Sequence, residues 1–350
     1  MNNTINVMRI ICWGIVLVIC VGALVLALTV GSSIFFGRQI FSFFSSNIDV
    51  EDPNFPLVSS AKYSESVSSV KLDWVRGSVK VYRSAGNEVE IYQYADERID
   101  DRDIFVSNVS NGRLYIRLKS QRNYFFFIGW PRASRLEIYL PDNLYDSIDL
   151  SGVSNSLTVS GIKADILKID TVSGRVQLDA EARAVSIETV SGGMECVLKK
   201  NEDITCNSVS GRISLKGEYD RVTAETVSGE FILSSATPVS FVSSNSVSGR
   251  VQLDGAFTGR INSETVSGSV TVNSSAMPSS FSSNSVSGSV KLYIPENNDG
   301  FTLNYSKVSG KFTSDFATTQ SGSTYKYGNG KSIFKADTVS GSFTIGRYAG

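Results

Sequence analysis

The chain contains no histidine. That absence removes the usual neutral-pH proton shuttle, the Ser-His-Asp and Cys-His nucleophile systems and many zinc sites. Cysteine is scarce: Cys12 and Cys20 lie in an apolar N-terminal run, which leaves only Cys196 and Cys206. An excess of one charge is also missing, with 33 Lys and Arg against 34 Asp and Glu and no long basic run. Nucleic acid is therefore not an expected partner, because binding it needs concentrated positive charge. No carboxylate pair stands out as an acid/base couple, and no cofactor or metal is expected. Gly330-Lys331-Ser332 has the look of a phosphate-loop tail, but Tyr325 holds the place of the required earlier glycine.

Charge is absent from one long stretch, Ile10 to Phe36, which is rich in Ile, Val, Leu and Ala. About 20 apolar residues span a bilayer core as a helix, and a cleaved signal peptide usually has a shorter apolar region. Residues 1–37 are accordingly read as an uncleaved transmembrane signal anchor, with a cleaved signal peptide as the alternative. Arg9 and Arg38 flank the run and leave the positive-inside rule nearly undecided. The large polar β region that follows argues for its export, so the C-terminal part is expected outside the cytoplasm. Residues 38–65, with Pro53, Pro56 and several serines, read as a juxtamembrane tether.

From 66 to 142 the pattern is alternation, expected to form an antiparallel β cap over an otherwise open solenoid end. Val79–Tyr82 and Val89–Tyr92 read as one hairpin, and Ile104–Val109 and Leu114–Leu118 as another across Asn111-Gly112. Leu136, Ile138 and Leu140 alternate up to Pro141, which halts the strand. The run Tyr124 to Pro131 offers an aromatic contact loop, Phe125, Phe126, Phe127 and Trp130, unless the cluster is buried beneath the cap.

Residues 143–350 carry a repeat. Val-Ser-Gly ends at Gly161 (in a variant context), Gly174, Gly192, Gly211, Gly229, Gly249, Gly268, Gly288, Gly310 and Gly341. From Gly174 to Gly288 the steps are 18, 19, 18, 20, 19 and 20 residues, the signature of a stacked-repeat architecture. The residue five before each Val is apolar from Leu167 to Phe334, and so is the residue four after it, from Val176 to Phe343. The expectation is an all-β fold, a parallel β-solenoid with two short strands per repeat and the triplet at the bend between them. Val then lies in the core, Ser lies outward, and Gly eases the turn.

Two residues before the Val, Glu and Asn alternate as Glu188, Asn207, Glu225, Asn245, Glu264 and Asn284. This is the candidate ligand-facing column. If one triplet marks one turn, the amides separate carboxylates that would otherwise repel. If a turn holds two triplets, glutamates stack and a bound cation becomes plausible. The first geometry is preferred. Arg175, Arg212 and Arg250 are expected to pair with neighbouring acids, and Asp179 and Asp254 read as turn residues. Cys196 and Cys206 read as buried thiols on adjacent strands, with a disulfide as the alternative. The hydroxyls around each triplet satisfy backbone groups at the bend, or form a flat ice-binding array.

Leu136-Glu137-Ile138-Tyr139-Leu140-Pro141, the serial Thr/Ser-Val-Ser-Gly units, Val290-Lys291-Leu292-Tyr293-Ile294-Pro295 and the stretch from Tyr327-Gly328-Asn329-Gly330 to Ser342-Phe343 together resemble a bacterial putative-adhesin family, a domain of unknown function built on a β-solenoid. The resemblance covers about residues 66 to 346. It implies an envelope protein, often membrane-anchored, in a family some of whose members sit beside envelope-stress regulators, and it carries over no catalytic residues. The expected function is a membrane-anchored, extracytoplasmic, non-enzymatic envelope protein whose partner is an envelope protein, peptide or cell-wall polymer. The alternative is a polysaccharide-acting solenoid enzyme.

Overall fold

The structure, a computed structural model, describes residues 55–96, 99–119 and 133–349. The apolar run 10–36 and the aromatic residues Phe125, Phe126, Phe127 and Trp130 lie outside the described residues. Among the described residues, no helix is long and apolar enough to cross a membrane. They form two compact units, 55–198 and 199–349.

The first unit contains β1 (Leu57–Tyr63), β2 (Ser69–Ser84), β3 (Val89–Tyr94), β4 (Phe105–Ser110), β5 (Arg113–Leu118), β6 (Ser134–Pro141), β7 (Leu144–Ser173) and β8 (Val176–Ser191). Parallel pairing starts early. One edge of β2 pairs with β5 and β6, and the other with β7, all in parallel. The first rung in sequence thus lies between two later ones, and the ladder already runs through the stretch expected to be an antiparallel cap. Antiparallel strands do cover its margin: β3 pairs with β6, β1 with β3, and β4 with β5. The expected hairpin of Val79–Tyr82 with Val89–Tyr92 does not form, because β2 is occupied on both edges and β3 turns to β6. The second hairpin forms as expected. Asn111 (φ 52°) and Gly112 (φ 73°) supply its tight turn.

Register reveals repeats that the triplet search passes over. Val70 pairs with Ile148, Gly77 with Asn155, and Leu157 with Val176. Val75-Arg76-Gly77 and Val153-Ser154-Asn155 therefore stand in the corner position. Val159-Ser160-Gly161 does not; it lies on the following arm at a bulge, where Gly161 has φ 73°.

The second unit begins within β9 (Met194–Ser210) and continues with β10 (Ile213–Thr226), β11 (Phe231–Ser235), β12 (Val239–Ser246), β13 (Arg250–Gly255), β14 (Phe257–Thr265), β15 (Ser269–Ser274), β16 (Ser280–Ser285) and β17 (Val290–Ile294). One arm stacks β10, β12, β14 and β16; the other stacks β10, β11, β13, β15 and β17. All these pairings are parallel, with one triplet per turn. Then come β18 (Phe301–Lys307), β19 (Lys311–Ser314), β20 (Thr319–Ser321), β21 (Thr324–Tyr327), β22 (Ser332–Thr338) and β23 (Ser342–Arg347). Here order changes again. β16 and β17 pair with β22 and β23, and β18 and β19 stack outside those. The hairpin β20–β21 folds antiparallel onto β18. Aromatic side chains fill this end: Phe334 packs 6.2 Å from Phe281 and 5.2 Å from Phe301, between ring centroids.

The corner is inverted relative to the expected parity. In the rung of Val227, the buried residues are Val222, Ala224, Thr226, Gly229, Phe231 and Leu233. Val227 is only half-buried and Ser228 is exposed; the rungs of Val247, Val266 and Val286 repeat this. The bend thus falls one residue earlier than parity alone indicates, directing the hydroxyl inward and the Val outward. The strands converge at this corner, so its inner positions are small: Ser244, Ser246, Ser263 and Thr265. A buried hydroxyl needs a partner. Ser246, Thr265, Ser285 and Thr338 Oγ accept the N–H of Gly249, Gly268, Gly288 and Gly341 at 2.8–2.9 Å. These inward hydroxyls cannot form a flat exposed array, whereas Ser228, Ser248, Ser267 and Ser287 lie outward.

Glycine is required at the corner by close approach. A methyl group on Gly268 would sit 2.0 Å from the Gly249 carbonyl oxygen, and one on Gly249 would sit 1.7 Å from that of Gly229. Backbone oxygens in a ladder cannot move aside.

Candidate functional site

The outward column two residues before each Val runs along one arm. In the second unit, register places Glu225 beside Asn245, Asn245 beside Glu264, and Glu264 beside Asn284. This is the one-triplet geometry, and it rules out stacked glutamates. Asn245 Nδ2–H donates to Glu225 Oε1 at 3.2 Å, and Asn284 Nδ2–H to Glu264 Oε1 at 3.3 Å. Glu225 and Glu264 lie two strand spacings apart, roughly 10 Å. Each amide thus removes a like-charge contact and occupies one carboxylate oxygen of its neighbour. Asn207, in β9, has a buried Oδ1 with no hydrogen-bond partner. The column is half-buried throughout.

In the first unit the spacer is missing. Glu188 stands beside Asp170. Burial pushes the Glu188 carboxyl above its ordinary value, the Asp170 charge adds to this, and Lys168 opposes it. Lys168 Nζ is 2.7 Å from Asp170 Oδ2 and is itself held protonated by that contact.

On the other arm, Glu230 lies 3.0 Å from Arg212 and 3.7 Å from Arg250, bridging the two. Asp254 is a strand residue, not a turn residue: it accepts from Gln252 Nε2 at 2.9 Å and from Asn273 Nδ2 at 2.6 Å. Asp179, likewise, lies within β8. Cys196 and Cys206 are buried thiols on a single strand, β9, rather than on adjacent ones. Burial pushes the Cys196 thiol up to about 12, so no reactive thiolate forms there at neutral pH.

An open hollow of about 360 Å³ lies against Lys200, Glu218, Tyr219 and Pro238. The Lys200 N–H donates to Glu218 Oε2 at 3.1 Å, which ties successive connections together. What the described surface offers is long columns of side chains at strand spacing. A family model matches residues 67–346, that described as Toastrack DUF4097. The chain belongs to the Toastrack DUF4097 family.

The similar solved structures include two putative adhesion proteins. A putative cell adhesion protein from Clostridium sporogenes ATCC 15579 shares 12% identity over 83% of this chain and 99% of that one, with a TM-score of 0.20. A putative adhesin from Bacteroides fragilis NCTC 9343 shares 11% identity over 83% of this chain and 97% of that one, with a TM-score of 0.34. No curated protein matches the chain.

Proposed function

We propose that this Toastrack chain is a membrane-anchored, extracytoplasmic envelope protein that binds an envelope component through the outer face of its β ladder, without catalysis. The observation that carries the reading is the Glu225–Asn245–Glu264–Asn284 column, in which amides hold carboxylates at a fixed two-rung spacing. Such a column recognises a partner by repetition and spreads contact over many rungs. The uncharged run from Ile10 to Phe36, followed by a Pro- and Ser-containing stretch, supports anchoring and export. The partner is an envelope protein, a peptide or a cell-wall polymer.

The test is a pull-down from envelope extract with residues 66–350, comparing wild type with Glu188→Lys, Glu225→Lys and Glu264→Lys. A retained component that the charge reversals release supports the reading. Failure to retain anything from the envelope, or equal retention by every variant, overturns it.

A further inference from the structure

A second outward face lies on the first unit. It is carried by the sheet β1–β3–β6–β2–β7–β8, and three rows of side chains cross it in register. One row runs Lys62, Glu90, Tyr139, Tyr82, Ser160, Asp179. The next contains Tyr92, Glu137 and Lys80, and the third Tyr94 and Arg135. Four tyrosines thus form a continuous strip over three adjacent strands. Tyr82 and Tyr139 have ring centroids 5.6 Å apart, and Tyr92 and Tyr139 lie 6.0 Å apart. All four are half-buried.

The strip is held rigidly. Tyr139 donates its hydroxyl to Glu137 Oε2 at 3.1 Å, and Tyr92 donates to Glu90 Oε2 at 2.9 Å. Arg135 Nε lies 3.0 Å from Glu137 Oε1, and its guanidinium sits 4.6 Å from the centre of the Tyr94 ring. Lys62 closes on Glu90 at 2.5 Å. Burial, with Glu137 nearby, pushes the Tyr139 hydroxyl up to about 12, so it remains a donor at neutral pH.

We propose that this tyrosine face is a binding site for a neutral glycan chain. Charge complementarity selects a neutral partner: Lys62, Lys80 and Arg135 are balanced on the face by Glu90, Glu137 and Asp179, and the closest pairs already satisfy one another. An anionic polymer finds no excess of cations, and a polycation no excess of carboxylates. An extended peptide needs backbone partners, but the amides and carbonyls of β6 and β2 are consumed within the ladder. A sugar chain needs neither. Its C–H faces pack on aromatic rings, which are large and pre-ordered here, while carboxylate and ammonium groups at the ring margins take its hydroxyls. The proposal rests on the envelope-binding reading and narrows its partner to a glycan at a separate face.

The test is calorimetric titration of the purified full chain with a soluble β-linked N-acetylglucosamine hexamer. Saturable binding is expected. Tyr82→Ala and Tyr139→Ala should each weaken it about tenfold, the loss of one stacked aromatic contact. Tyr139→Phe keeps the ring and should bind within about threefold of wild type, which separates ring loss from misfolding. Tyr115→Ala, on an outward position of β5, should leave binding unchanged. No saturable binding by wild type, alanine variants that bind as wild type does, or stronger binding of dextran sulfate that is lost in the same variants would each overturn the proposal. Retention of a non-glycan envelope component through the Glu column, with no binding of the hexamer, sinks this inference and leaves the broader function standing.

Discussion

The rungs from Ile213 to Ile294 and the rungs at the two described extremes obey different rules of order. In the regular stretch, each rung stacks on the next in sequence. In the first unit β2 lies between β5–β6 and β7, and in the second unit β22–β23 lies between β16–β17 and β18–β19. In both places the ladder rung that comes first or last in sequence is tucked one place inward and covered by a later or earlier excursion. A parallel solenoid left with its last rung bare would expose unpaired backbone and half of a core. Covering it with a rung whose own margin is closed by antiparallel strands, β20–β21 on β18 and β4 on β5, removes much of that edge. The comparison teaches that a repeat specifies the register of each rung with its neighbour. Which rung becomes that neighbour is decided by the connections.

The largest effect should come from the corner itself. Gly268→Ala drives a methyl into the Gly249 carbonyl of the ladder and should cost about 3 kcal/mol or more by urea denaturation. Gly322→Ala, in the hairpin turn where no atom lies within 4 Å, meets only its φ of +59° and should cost about 1 kcal/mol. Equal costs would remove the steric reading of the triplet.

Comparable in size is the effect at the aromatic stack that records the exchanged order. Phe334→Ala should cost about 3–5 kcal/mol, and a double-mutant cycle between Phe281 and Phe334 should show coupling of about 0.5–1.5 kcal/mol. Absence of coupling would place another rung beside β16.

A smaller effect, about 1–2 kcal/mol, is expected for Thr265→Val, which leaves the buried Gly268 N–H without its acceptor. Ser267→Ala, in the same triplet but outward, should change stability by less than about 0.5 kcal/mol. If the order of these two reverses, the inward hydroxyl is assigned to the wrong residue.

The smallest effect concerns pH. Because burial and Asp170 raise the folded carboxyl of Glu188 above its unfolded value near 4.5, its stabilising contribution is complete below that value. It is lost as pH rises through the raised folded value. Glu188→Gln should therefore flatten the fall in stability as pH rises above about 4.5, read by urea denaturation across that range. A Glu188→Gln profile that runs parallel to wild type would contradict the crowding of this carboxyl by burial and Asp170.

Much of this was legible in residue order. The near-constant step from Gly174 to Gly288 marks the repeat, with one rung per triplet as the preferred reading, and the apolar positions five before and four after each Val are buried except at Phe312. The alternation of Glu with Asn gave the stacking that register confirms. The position of the bend was not legible. Parity allows Val or the preceding hydroxyl to be the inner residue, and only the narrow corner, which takes Thr226 and excludes Val227, decides. Exchanged order was not legible either, although the steps lengthen beyond Gly288, to 22 and then 31 residues, where the chain skips a rung. The tyrosine strip is not legible in residue order, because its members come from β2, β3 and β6, 57 positions from first to last, and become neighbours only through that exchange.

The exchanged order is tested most directly by paired surface cysteines on the column two before the Val. Asn284 and Asp337 are register neighbours, and Ser306 lies one rung beyond Asp337. Under mild oxidation, Asn284→Cys with Asp337→Cys should form a disulfide in high yield, mapped by peptide mass spectrometry, and Asn284→Cys with Ser306→Cys should not. Efficient bonding of the second pair and none of the first would show that β18, not β22, stacks on β16, and would contradict the account.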